Sequence, residues 1–189
     1  MKLVSANDIL LNDHLKDIVV LARRSDCKEA QYGAVIFKGG VLLGIGFNHV
    51  PTILKEKYVC GGSQIKQDCP RRQFPELRGG VGMDLCIATH AEEAAIIDMY
   101  QSRGHNLAST RGATMLIGKL KDGAVKVHDY PVKLTCTKCS GKIANETQLE
   151  KIAFLTTNGF AIYGREELHE ETIKSLRRSY QEAVAAQPL

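Results

Sequence analysis

The chain has 189 residues, of which 44% are hydrophobic and 24% are charged, and its formal net charge is +4. This length suits one domain, and the composition is that of a globular protein. The small excess of positive charge would favour an anionic ligand, but many proteins that do not bind nucleic acid carry as much. No apolar run approaches the ~20 residues that a membrane-spanning helix requires, and polar residues interrupt the N-terminal segment where a signal peptide would be apolar. We therefore expect a single cytoplasmic domain over residues 1–189 that does not associate with membranes.

Hydrophobic periodicity predicts a helix and a hairpin in the first fifty residues. Residues 7–24 place their apolar side chains on one helical stripe. Two short apolar and β-branched runs follow at 32–38 and 41–47, and Gly39 and Gly40 between them can adopt the positive φ of a tight turn. The segment therefore predicts an amphipathic helix followed by two antiparallel strands.

The segment from Asn48 to Leu85 is irregular and contains prolines, paired glycines and basic residues. Loops of this length are uncommon in compact domains unless they are functional. Helical spacing returns over 89–103, and Gly104 stands just past its end. We predict a long functional loop followed by a second helix.

The second half of the chain alternates strand and helix patterns. Residues 113–120 predict a third strand, which the Lys121-Asp122-Gly123 turn folds back into a hairpin with 124–130. The patterns that follow predict a helix over about 137–147, a strand over 151–157 and a last helix over about 165–186. A strand, helix, strand order indicates parallel pairing within a mixed sheet that helices cover on both faces.

Two short motifs carry candidate metal ligands. His90-Ala91-Glu92 begins one predicted helix, and Cys136-Thr137-Lys138-Cys139 begins the next. A catalytic zinc uses three imidazole or thiolate ligands and leaves its fourth position to water. His90, Cys136 and Cys139 supply that set, and a helix N-terminus stabilises thiolate charge. Glu92, two residues after the histidine, is then placed to transfer protons without binding the ion.

Each motif also has a structural interpretation. Thr89-His90-Ala91-Glu92 matches a capping box, in which Glu92 accepts a hydrogen bond from the backbone N–H of Thr89. The cysteine pair alone is compatible with half of a structural zinc ribbon. Their occurrence together, at successive helix starts, favours the catalytic interpretation.

With these motifs the chain resembles the cytidine and deoxycytidylate deaminase superfamily, whose signature is H-x-E followed by P-C-x-x-C. The runs at 33–36 and 46–51 and the cysteine-bearing insertion before His90 resemble the deoxycytidylate branch. The resemblance implies a three-layer α/β/α fold with a mixed five-stranded sheet, a catalytic Zn²⁺ and a homo-oligomer. It also implies insertions at 49–86 and 119–134.

The same resemblance implies substrate contacts from the side chain of Asn48 and from the backbone around Ala91, with His49 as a further candidate. Two positions depart from the family pattern. Thr135 replaces the proline before the first cysteine, and Ala94 stands where deoxycytidylate deaminases often have asparagine. These departures affect the substrate assignment more than the chemistry.

Four cysteines remain outside the catalytic set, which is the number that a closed tetrahedral zinc site uses. They are Cys27, Cys60, Cys69 and Cys86. Some phage-type deoxycytidylate deaminases carry a second, structural zinc, and Cys27 and Cys60 lie where its ligands would be expected. The alternative is that the four are small buried hydrophobic side chains. We predict the second zinc, because an irregular loop lacks a core in which to bury thiols.

Three functions are compatible with these features. The first is hydrolytic deamination of a free cytosine nucleotide, with dCMP giving dUMP and ammonia. The second is deamination of cytosine or adenine in RNA or single-stranded DNA, in which basic loop residues would follow the phosphates. Those residues are Lys55, Lys57, Lys66, Arg71, Arg72 and Arg78. The third is a zinc-binding module without catalysis, which would need a fourth protein ligand and no Glu92.

Overall fold

A computed structural model describes residues 2–5, 8–27, 30–60, 67–74, 81–128 and 135–185. The α-helices of this part are α1 (Ile9–Arg23), α2 (Ala91–Ile97), α3 (Thr137–Glu146) and α4 (Arg165–Ala185). The strands are β1 (Lys2–Val4), β2 (Tyr32–Lys38), β3 (Val41–Phe47), β4 (Tyr58–Val59), β5 (Gln67–Asp68), β6 (Thr114–Lys121), β7 (Ala124–Val125), β8 (Lys151–Thr156) and β9 (Gly159–Tyr163). Short 3₁₀ helices lie at Thr52–Leu54, Pro70–Gln73, Met83–Leu85 and Leu107–Thr110, and the π-helical turn Asp98–Ser102 extends α2.

Most of the strands form one mixed sheet in the order β1-β9-β8-β6-β2-β3, with β7 paired to β6. β6 and β8 are parallel and the other neighbours are antiparallel. The parallel pair flanks α3 in the sequence, as the strand, helix, strand order predicted. The sheet has seven strands in the described part of the chain rather than the predicted five.

The additional strands are β1 and β9, which the sequence patterns did not indicate. β1 has three residues, too few to show a period, and β9 follows β8 through a two-residue turn between Thr156 and Gly159. The predicted hairpin strand at 124–130 is reduced to the two residues of β7, and residues 129–134 lie outside the described part.

Helices cover both faces of the sheet, which gives the three layers that the sequence predicts. Alternate residues of β2 lie on opposite faces of the sheet. Val35 and Phe37 pack with α1, whereas Ala34 and Ile36 pack in the cluster that includes residues of α2 and α3. This two-residue alternation is the geometry of a strand buried on both sides. No helix in the described residues has both the length and the apolarity to cross a membrane.

Two glycines of β3 allow α2 to lie unusually close to the sheet. A Cβ atom at Gly46 would come within 2.2 Å of the Ala91 carbonyl oxygen, and one at Gly44 within 2.5 Å of the Ala95 carbonyl oxygen. Any larger side chain would push the helix outward. The glycines therefore fix the depth of the first turn of α2, which carries His90 and Glu92.

The irregular segment after β3 is tied to the loop before β2. Asp26 accepts a hydrogen bond from the Val50 backbone N–H at 3.3 Å and forms a 3.1 Å ion pair with Lys55. Cys27, Val50 and buried cysteines of the segment form a small apolar cluster of their own. This cluster is separate from the two clusters that pack the faces of the sheet.

Candidate metal site and cavity

The two sequence motifs lie at neighbouring helix starts. His90 is the N-cap of α2 and Cys136 is the N-cap of α3, both with extended backbone (ψ of 159° and 162°). Extended backbone is typical of an N-cap residue, which lies at the open end of the helix beside its unpaired N–H groups. The Cys136 sulfur also accepts the backbone N–H of Cys139 at 3.4 Å, which closes the turn between the two thiols.

Three donor atoms converge at this point. His90 Nδ1 lies 3.3 Å from Cys136 Sγ and 3.2 Å from Cys139 Sγ, and all three donors lie within 4.8 Å of one another. Standard zinc bond lengths in a tetrahedron place a nitrogen and a sulfur ligand about 3.6 Å apart. Within the described ranges, no other set of three or more histidine, cysteine or acidic side chains is grouped this tightly. The three residues can therefore hold a metal ion.

Hydrogen bonds among the three donors shift the pKa of each of them. The hydrogen bonds from Cys139 and His90 lower the pKa of Cys136 to about 4, although burial opposes the shift. Burial lowers the pKa of His90, but hydrogen bonds with Cys136 and Cys86 outweigh it and raise this pKa to about 11. The hydrogen bond to Cys136 raises the pKa of Cys139. A metal ion bound by this set would displace its protons.

Glu92 lies beside the three donors without joining them. Its side chain is buried, with 7% of the residue exposed, and it is not part of the group within 4.8 Å. Burial raises the pKa of Glu92, and the charge of His90 opposes that shift. The capping-box interpretation is wrong, because the Thr89 N–H donates instead to the His49 carbonyl oxygen at 2.9 Å.

A cavity of about 580 Å³ opens over the donors. Of the three residues predicted to contact substrate, Asn48 and Ala91 line the cavity, whereas His49 is not among its lining residues. The Asn48 amide bridges two backbone groups, accepting the Tyr32 N–H at 2.7 Å and donating to the Ala30 carbonyl oxygen at 2.7 Å. Asn48 therefore braces the cavity wall and retains a second N–H and a second lone pair.

The fixed charges of the cavity favour an anionic ligand. Arg71 and Lys119 line it, and Glu92 is the one carboxylate among the described lining residues. Of the other basic loop residues, Lys55 pairs with Asp26 and Lys57 lies over the Tyr58 ring, 5.3 Å from its centroid. Lys66 and Arg78 lie outside the described residues, as does the side chain of Arg72.

Several lining residues were missed by the sequence interpretation because they come from distant elements. They include Tyr32 and Lys119 from neighbouring strands, His128 after β7, and Thr172, Ser175 and Leu176 from α4. Burial raises the pKa of Tyr32 to about 12, with a further contribution from Glu92, so its phenol stays a hydrogen-bond donor. Two features of the sequence were signals for these lining residues. One is the lysine within the apolar run of β6, and the other is the spacing of three and four residues between the lining residues of α4.

The four remaining cysteines are only partly brought together. Cys27 and Cys60 are buried, and their sulfurs lie 3.1 Å apart, while Cys69 is buried in the same cluster and Cys86 packs against it. In the described part of the chain, however, no third thiol lies within 4.8 Å of both members of that pair. Cys86 instead contacts the His90 imidazole.

No family model matches the chain. Among curated proteins, the deoxycytidylate deaminase of Mycobacterium phage D29 is 32% identical over 80 residues, which are 40% of this chain and 56% of that protein. The match thus spans little more than half of the length of this relative.

Solved structures of similar fold include a cytidine deaminase from Burkholderia pseudomallei. It is 9% identical, with a TM-score of 0.50, and the alignment covers 83% of this chain and 94% of that chain. A dCMP deaminase from the cyanophage S-TIM5, solved with dCMP and dUMP, is 19% identical with a TM-score of 0.49, covering 92% and 93% of the two chains. The first likeness confirms the predicted three-layer fold.

Proposed function

We propose that this chain belongs to the cytidine and deoxycytidylate deaminase superfamily and is a zinc-dependent hydrolase that converts dCMP to dUMP and ammonia. The observation that carries the proposal is the group formed by His90, Cys136 and Cys139 with Glu92 buried beside it. A structural zinc site has four protein ligands, whereas a catalytic one has three and an open position. The described residues add no fourth ligand to the three, which argues against a non-catalytic module.

The side chains then have distinct roles in the reaction. A bound zinc would supply the Lewis acidity that lowers the pKa of a water molecule to about 7. Glu92 accepts a proton from that water and delivers protons to the pyrimidine ring nitrogen and to the departing amine, which leaves as ammonia. Its raised pKa suits both steps, because such a carboxyl group exchanges protons closer to neutral pH. The Ala91 backbone and Asn48 hold the pyrimidine and its sugar.

A free nucleotide fits the charges of the cavity better than a nucleoside does. Arg71 and Lys119 enter the same cavity as Glu92, so a substrate with its base at Glu92 can present a phosphate to one of the two cations. Nucleic acid stays the second candidate. The insertion at 49–86 contains two aromatic residues on which bases would stack, Tyr58 and Phe74.

Ammonia release should be fastest with dCMP, slower with deoxycytidine and slowest with a single-stranded oligomer. Charge reversal at Arg71 or Lys119 should raise KM for dCMP about tenfold, because a charge-assisted hydrogen bond contributes about 1.5 kcal/mol. KM for deoxycytidine should change little. Lys151→Glu is the control, since Lys151 is exposed and pairs with Glu150 outside the cavity lining. Equal changes for nucleotide and nucleoside would contradict the phosphate contact, and a preference for the oligomer would favour nucleic acid.

We also propose a second zinc, held by Cys27, Cys60, Cys69 and Cys86, that fastens the insertion at 49–86. The closeness of Cys27 to Cys60 and the burial of Cys69 beside them support it. Ligation would require Cys69 and Cys86 to approach this pair. The assembly of the chain as a homo-oligomer stays a prediction.

Metal analysis should give two zinc ions per wild-type chain and one per Cys60→Ser chain. Structural zinc contributes its binding energy to folding, so the variant should melt at a lower temperature, by roughly 2–4 °C for each kcal/mol of stability that is lost. Its turnover number for dCMP should change less than twofold. A wild-type content of one zinc per chain would refute the second site.

A further inference from the structure

Glu93, the residue after Glu92, links the two helices that carry the metal donors. It lies in the first turn of α2, and its side chain is only 12% exposed. Lys138 of α3 places Nζ 3.0 Å from one carboxylate oxygen, and Lys142 places Nζ 3.2 Å from the other. Each oxygen of Glu93 therefore has its own ammonium partner, and both partners belong to the opposite helix.

This link differs from an ordinary surface ion pair in that its carboxylate is buried, although the side chain of Lys138 is 55% exposed and that of Lys142 is 30% exposed. Exposed ion pairs contribute little to the free energy of folding, because water screens the charges and two long side chains must be ordered. Burial raises the pKa of Glu93, but Lys138 and Lys142 outweigh it and lower this pKa, so the carboxylate stays charged. Removal of one partner of a buried carboxylate lowers the stability of the protein, because part of the buried charge is left uncompensated.

The position of the link bears directly on the metal donors. Lys138 stands between Cys136 and Cys139 in the sequence, within the turn that presents both thiols. Glu93 lies three residues after His90, which presents the imidazole from α2. The distances from zinc to its ligands lie within about 0.2 Å of their standard values. The contact between these two turns therefore affects how closely the His90 nitrogen and the two cysteine sulfurs approach the distances that one zinc ion requires.

A second contact joins the same helices farther along. The Tyr100 hydroxyl in the π-helical turn donates a hydrogen bond to the Glu146 carbonyl oxygen at the end of α3. This contact keeps the helices together at their far ends. Removing Glu93 should therefore loosen the metal end of the pair while the remainder of the interface stays in place.

We propose that Glu93 is a positioning residue for the metal site, which acts through Lys138 and Lys142 to hold the cysteine turn against His90. The proposal rests on the metal site described above and does not depend on which substrate is deaminated. Glu93 belongs neither to the group of metal donors nor to the described lining of the cavity, so we expect its effect to be on metal retention.

The test is the zinc dissociation constant of folded protein, measured by competition with a chromophoric chelator well below the melting temperature. Glu93→Gln should raise this constant about tenfold, the lower end of the range for residues that orient metal ligands. Lys138→Met should raise it by a smaller factor, because the Lys142 contact remains. The double variant should be no worse than Glu93→Gln, since that substitution already removes the Lys138 contact. Lys142→Met leaves the Lys138 contact intact and should raise the constant less.

Glu171→Gln is the matched control, because it breaks a 2.7 Å pair with Lys174 on the exposed side of α4. Its zinc dissociation constant should equal that of the wild type. An unchanged constant in both Glu93→Gln and Lys138→Met would overturn the proposal, even if both variants melted at lower temperature. If the wild-type protein binds zinc but deaminates nothing, the proposed function fails, and the measured constants still decide the role of Glu93.

Discussion

Replacement of Glu92 by glutamine is expected to reduce ammonia release by at least about 10²–10⁴-fold while zinc stays bound, because general acid–base groups contribute rate factors of that size. Glutamine occupies the same volume but cannot carry a proton. Zinc should be retained because Glu92 is not one of the three grouped donors. The measurement is the turnover number for dCMP together with zinc content in the same preparation.

Glu166→Gln provides the control for this substitution. Glu166 is an exposed carboxylate in the first turn of α4, and its loss should leave the turnover number unchanged. Wild-type turnover by the Glu92→Gln variant would contradict the proton-transfer role. Loss of zinc from that variant would instead indicate that Glu92 contributes to metal binding.

Replacement of His90 by alanine is expected to weaken zinc binding by more than the roughly 10–100-fold that follows the loss of a residue supporting a metal ligand. The substitution removes the single nitrogen donor and leaves two thiols, which cannot complete the site. Deamination should fall in proportion to the zinc lost from this site. The structural zinc that we propose should remain, so the total should fall by one ion per chain.

The control for the histidine substitution is His105→Ala, because His105 follows the π-helical turn and does not line the cavity. This variant should keep its zinc and its turnover number. A His90→Ala protein with the wild-type zinc content would remove His90 from the ligand set and would require another donor.

Two adjacent carboxylates of α2 illustrate how one helix turn supports different roles. The pKa of Glu92 is raised by burial near the metal donors, whereas that of Glu93 is lowered by two lysines. Successive residues of a helix point about 100° apart, so one faces the cavity and the other faces α3. Environments that separate the pKa values of neighbouring acids are typical of sites where one of them transfers protons.

The features of the site that depend on local sequence were predictable. The spacing of His90 and Glu92 and that of the two cysteines placed all four residues at helix starts, where the structure has them. The parallel pairing of β6 and β8 followed from the helix between them. These features arise within short segments, so periodicity and spacing are sufficient to reveal them.

Features that depend on contacts between distant segments were not predictable from one sequence. Lys119 enters the cavity through the register of β6 against β2, where it pairs with Tyr32. The residues of α4 that line the cavity lie far along the chain from the metal ligands. In the sequence, nothing distinguishes Glu93 from other carboxylates on a helix surface. Its contacts with Lys138 and Lys142 of α3 are visible only in the folded structure. Each of these requires the packing of whole elements to be known.

Ammonia released from dCMP, measured together with zinc content in graded stages of metal loading, tests the central claim most directly. We expect one dUMP and one ammonia for each dCMP consumed, at a rate proportional to the zinc occupancy of the His90 site. A protein with that site fully loaded that releases no ammonia from dCMP, or from any other cytosine or adenine nucleotide, would contradict it.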